Sequence, residues 1–116
     1  FDYTKYRING GNEVGKSNIP FEAVKVFVEN RPELSLEDIV NEWAKIDIRY
    51  IVETEEMHEE HKKKAIKDKK FDTRSKELKT QKGILFVSNQ IGIKNVNRLI
   101  DQIHAQDWGI KIEKVE

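Results

Sequence analysis

The sequence contains no cysteine, which excludes disulfides and thiolate metal sites together. Long apolar runs are absent too: the longest, Ile84 to Val87, is far shorter than a signal peptide or a membrane span requires. Charge of one sign is also missing. The 21 Lys and Arg balance 21 Asp and Glu, so the molecule as a whole has no field that would draw it onto nucleic acid or an anionic membrane. Any such attraction must come from a local patch. With two prolines, 37% hydrophobic and 36% charged residues over 116 positions, these absences predict one cytoplasmic domain covering 1–116, with no membrane partner. A chain of this length buries about two-thirds of its unfolded surface, enough for one core and a shallow groove. That argues against an enzyme with a lid and a large cofactor.

Helical periodicity occurs in three places. Phe21, Val24, Phe27 and Val28 share one face over Pro20 to Asn30, and proline suits a first helical turn. Ser35 can cap a second helix, with Asp38 in the carboxylate position of a capping box and Leu36, Ile39, Val40, Trp43 and Ala44 forming its apolar stripe. Only a short connection around Pro32 and Glu33 separates these two helices. The last helix runs from about Lys94 to Gln106 and buries Val96, Leu99, Ile100 and Ile103, with Gly109 placed to end it or the following turn. Strands are expected over Tyr3–Ile8, Ile84–Ser88 and the closing Ile110, Ile112 and Val115. Between Ile46 and Val52 the pattern fits either period; helix is favoured, continuing to about Lys67. The sum is an α+β domain whose order, three helices, a charged strand, a turn and an apolar strand, is that of a winged-helix unit with a small antiparallel sheet. A helix and a strand are added at its C-terminal end.

The charge is unevenly divided. His61 to Lys82 holds ten basic residues against three acidic ones, an excess of seven that the rest of the chain balances. Lys62, Lys63, Lys64, Lys67, Lys69, Lys70 and Arg74 are the candidate phosphate contacts, since clustered lysines release counterions from a nucleic-acid backbone. Glu59 and Glu60 lie four residues before Lys63 and Lys64, so part of this excess is expected to be neutralised within one helix. Base reading needs Arg, Asn or Gln in a groove, and Arg49, Arg74, Asn89 and Gln90 are the few residues available.

Two motifs tempt and are set aside. Gly10-Gly11-Asn12-Glu13-Val14-Gly15-Lys16-Ser17 spells a phosphate-binding P-loop. The residues before it are half polar, Pro20 falls where the P-loop helix should already make internal bonds, and no strand delivers an Asp to magnesium. A glycine-rich turn from strand to helix is expected instead. His58-Glu59-Glu60-His61 spaces two imidazoles at i and i+3, whereas the zinc-protease pattern needs i+4 and a third ligand. No metal or other cofactor is expected. No catalytic residue is expected either, because Ser17, Ser35, Ser75 and Ser88 all sit in turn, cap or strand-end contexts. Trp43 falls on the apolar face of its helix and is expected in the core.

Tyr6-Arg7-Ile8-Asn9-Gly10, the helix Phe21 to Asn30, and Phe86-Val87-Ser88-Asn89-Gln90-Ile91-Gly92-Ile93-Lys94-Asn95-Val96 with Leu99-Ile100 resemble a small bacterial module. That module pairs a tyrosine-containing N-G start with a V-S-N-Q-x-G-x-x-N segment, and resembles accessory domains of restriction and other DNA-processing proteins. Ile91 stands where the module usually carries an aromatic residue. The resemblance implies a winged-helix-like accessory domain near DNA and assigns no catalytic residues. Two other readings remain open: a protein-interaction or self-association domain without a nucleic-acid role, and a nucleotide binder that depends on the P-loop letters.

Overall fold

Tyr6 and Ile8 point inward while Lys5 and Arg7 point out, the period of two expected of a half-buried strand. The computed structural model that shows this describes residues 3–48, 50–68, 75–89 and 93–116. Within them the order is β1 (Lys5–Ile8), β2 (Glu13–Gly15), α1 (Ile19–Glu29), α2 (Leu36–Trp43), β3 (Val52–Thr54), α3 (Glu55–Asp68), β4 (Ser75–Thr80), β5 (Gly83–Ser88), α4 (Ile93–Ala105) and β6 (Ile112–Val115). The fold is α+β. It contains two three-stranded antiparallel sheets, ordered β2-β1-β6 and β3-β5-β4.

Local chemistry explains the ends of these elements. Asn9 and Gly10 both have positive φ, 51° and 74°, and the Gly11 N–H donates to the Ile8 carbonyl at 3.0 Å. This is the primed turn whose twist suits a hairpin, and it joins β1 to β2. A single 3₁₀ turn, Lys16–Asn18, leads into α1. The expected capping box starts α2: the Asp38 N–H donates to Ser35 Oγ at 3.1 Å and the Ser35 N–H to Asp38 Oδ2 at 3.4 Å.

One core joins the two sheets. Phe27, Trp43 and Trp108 meet at its centre with ring centroids 4.7–5.7 Å apart, and all three are buried. The expected core position of Trp43 is therefore observed. Val96, Leu99 and Ile103 bring α4 to the same core. In the second sheet, alternation divides the side chains cleanly. Val52, Leu78, Leu85 and Val87 are buried on the face that packs on α1. Glu53, Phe86 and Glu77 are cross-strand partners on the opposite face, which α3 covers.

The helix expected over Ile46–Val52 is not formed. Residues 44–48, 50 and 51 are turn and bend, and β3 begins at Val52. Tyr50 has φ 57°, left-handed backbone that cannot sit inside a right-handed helix. Thr54 pairs with Leu85 in a strand ladder before α3 begins at Glu55. Strand β2 was not anticipated, because only Val14 among its three residues is apolar.

Candidate functional site

Helix α3 begins with Glu55, Glu56, Glu59 and Glu60 and continues with Lys62, Lys63, Lys64 and Lys67. This order matches the helix dipole, acidic residues towards the positive end and basic residues towards the negative end. Lys62, Lys63 and Lys64 are all exposed. Lys62 pairs with Glu59 at 3.8 Å and Lys63 with Glu60 at 3.5 Å. The pairs therefore form at i,i+3 spacing, one residue short of the spacing expected from the sequence. Lys67 lies in the last turns of α3, with its side chain outside the described part, and Lys69, Lys70 and Arg74 lie outside the described residues, as do Arg49 and Gln90.

The β4–β5 hairpin continues the basic segment with exposed Lys76, Lys79 and Lys82. Its turn is fixed: Thr80 Oγ1 donates to the Gly83 carbonyl at 2.7 Å and accepts from the Lys82 N–H at 3.1 Å. Lys76 Nζ lies 4.2 Å from the centre of the Phe21 ring, a cation–π contact with α1. Lys82 Nζ donates to the Glu33 carbonyl at 2.8 Å, tying the hairpin to the link between α1 and α2. Beside this contact opens a groove of about 290 Å³. Val28, Leu34, Ile39 and Leu78 contribute its apolar surface, and Lys25, Arg31, Lys79 and Lys82 its charge. Lys25 and Arg31 were not singled out from the sequence, because they are distant from the basic segment in the chain and only the packing of α1 on β4 brings them near it.

A second cluster lies on the other side of the second sheet. Glu53, His58 and His61 are buried, each 5% exposed or less. Glu53 Oε1 is 3.4 Å from the Nδ1 atoms of both histidines. His58 stacks on Phe86, and His61 lies against Tyr50 with ring centroids 3.9 Å apart. An open cleft of about 310 Å³ reaches Tyr50, Glu53 and His61. Among the described side chains of α3, only His58 and His61 are buried, and these two imidazoles meet the sheet through Glu53 and Phe86. The i,i+3 spacing of the histidines, set aside as a metal motif, was the sequence signal for this face. Among the described residues, no group of three or more His, Asp or Glu is arranged to hold a metal ion.

The P-loop letters fold differently from a phosphate cradle. Gly10 and Gly11 form the hairpin turn, and Glu13 to Gly15 form a strand antiparallel to β1. Pro20 occupies the first turn of α1. Among the described residues no helix is long and apolar enough to cross a membrane.

Comparison with known protein families, curated proteins and solved structures finds no match.

Proposed function

We propose that the chain is a cytoplasmic, nucleic-acid-associated binding domain that contacts DNA phosphates through the basic end of α3, the segment following it and the β4–β5 hairpin. In this winged-helix-like reading α3 acts as the contacting helix and the hairpin as the wing. The observation that carries it is the set of exposed lysines, Lys62, Lys63 and Lys64 at the basic end of α3 and Lys79 on the hairpin. Lys76 and Lys82 are also exposed residues, although their ammonium groups contact the Phe21 ring and the Glu33 carbonyl. The ion pairs of Lys62 and Lys63 are open to solvent, and such pairs are worth about 0–1 kcal/mol each. A phosphate can therefore replace the glutamate without a large penalty. Lysines supply attraction without base choice, so the binding is independent of sequence and steeply dependent on salt.

Fluorescence anisotropy with a labelled duplex tests this. Binding at about 50 mM salt is expected, weakening in proportion to the number of phosphates neutralised. Reversal of Lys62, Lys63, Lys64, Lys69 and Lys70 to glutamate abolishes it. A chain that binds no duplex at that salt, or a reversal variant that binds as the parent does, rejects the reading.

A further inference from the structure

The groove at the base of the hairpin combines three features that recognise one kind of ligand. Its apolar surface is aliphatic: Val28, Leu34, Ile39 and Leu78 contribute, and among the described residues no aromatic ring lines it. Among the described residues four basic side chains line it against one acidic one, Glu29. Two of the four are already engaged. Arg31 donates to the carbonyls of Phe27 and Trp108 at 3.5 and 3.1 Å, and Lys82 donates to that of Glu33. Lys25 and Lys79 have no ion pair or side-chain hydrogen bond among the described residues. Finally, Leu78, Lys79 and Thr80 belong to β4, an edge strand of its sheet. No described strand pairs with its outer side, so alternate backbone groups there can receive another strand.

From this geometry we infer that the groove docks an extended peptide segment of a partner protein in which acidic residues alternate with aliphatic ones. An extended chain sends successive side chains to opposite sides. Aliphatic side chains then meet Val28, Leu34 and Leu78 on the α1 side, and carboxylates on the other side meet Lys79. A carboxylate at the end of the segment meets Lys25 of α1, and the peptide backbone pairs along β4. The aliphatic lining favours this occupant over a single-stranded nucleic acid, whose bases bind by stacking on aromatic rings. The hydrogen-bonded turn at Thr80–Gly83 holds this end of β4 in place before the ligand arrives. The groove shares Lys79 and Lys82 with the nucleic-acid reading, but Lys62, Lys63 and Lys64 do not line it, so variants at those three lysines separate the two.

The test uses a fluorescein-labelled peptide alternating glutamate and isoleucine, titrated with the whole chain. Two controls replace isoleucine by serine or glutamate by lysine, and an unlabelled single-stranded oligonucleotide serves as competitor. Saturable binding of the first peptide is expected, with both controls at least about tenfold weaker. The double variant Lys25→Glu, Lys79→Glu changes exposed positions only and should lose a similar factor. The Lys62→Glu, Lys63→Glu, Lys64→Glu variant should bind the peptide as the parent does, even if its DNA affinity is gone. Absence of binding, equal binding of the serine control, or an unchanged affinity in the Lys25/Lys79 variant each overturns the inference. Displacement of the peptide by the oligonucleotide, with the same variant sensitivity, would assign the groove to nucleic acid and overturn it as well.

Discussion

The imidazole of His58 lies flat against the ring of Phe86, with centroids 4.0 Å apart and planes 6° from parallel. With the carboxylate of Glu53 held between His58 and His61, this contact joins the first half of α3 to the sheet. Truncation of His58 to alanine removes the stack and leaves Glu53 buried with one of these two imidazole partners. A loss of about 2–4 kcal/mol in unfolding free energy is expected, combining a cavity with a poorly satisfied carboxylate. Urea denaturation gives the total. Hydrogen exchange locates it: amides of α3 should lose more protection than those of α1, and equal loss in both would show that α3 is not held through this point.

Asn9 ties the first turn to the end of the chain. Its Oδ1 accepts from the Lys111 N–H at 2.7 Å, its Nδ2 donates to the Gly109 carbonyl at 3.2 Å, and its backbone has φ 51°. Alanine loses both side-chain bonds and tolerates left-handed backbone less well. Asn9→Ala is expected to destabilise by about 2 kcal/mol. Asn9→Gly keeps the turn and loses only the bonds, so its thermal midpoint should fall between those of parent and alanine variant. An alanine variant as stable as the parent would show that the link to Lys111 contributes nothing.

The elements that could be read from the sequence were those whose signals are local. Ser35 and Asp38 marked the start of α2, Trp43 lay on its apolar stripe, and the runs before Ser88 and after Ile110 gave strands. What escaped depends on tertiary pairing. Tyr50 turns the chain through left-handed backbone, a conformation its side chain does not announce, and so Ile46–Val52, whose pattern fits either period, read as helix. Glu53 is a buried carboxylate because α3 folds over it, and a charged residue next to an acidic run reads as solvated. The groove draws on α1, the link after it, α2 and β4, elements far apart in the chain, and no local pattern records that meeting. Of the phosphate contacts expected, Lys62, Lys63 and Lys64 are exposed as the sequence implied, and their pairing partners differ by one residue.

Gly83 is required by both backbone and packing. Its φ is 137°, a region that residues with a side chain rarely adopt, and an added Cβ would stand 2.9 Å from Leu36 Cδ1. Gly83→Ala should cost about 1–3 kcal/mol and strain the β4–β5 turn. The groove beside that turn should report the strain: nuclear magnetic resonance shifts at Thr80 and Lys82 should move more than those in β1. A variant with parental stability would mean that Leu36 moves aside and the backbone relaxes freely.

The carboxyl of Glu42 is held below its ordinary range, chiefly by the hydrogen bond from Lys45 at 2.7 Å. The positive charge of Lys45, the Trp108 side chain and Arg31 add to this, against partial desolvation. A carboxyl lowered in the folded state stabilises that state when ionised. The contribution is complete above the unfolded pKa, about 4.3 for glutamate, and disappears as pH falls through the lower folded value. Since Glu42 is 36% exposed, the contribution is screened and stays below about 1 kcal/mol. Glu42→Gln should therefore be slightly less stable than the parent at pH 7, and the two urea midpoints should converge as pH falls below the unfolded value and through the lower folded one. A difference that persists unchanged at pH 3 would mean that Glu42 acts by packing beside Trp108, with no part played by its charge.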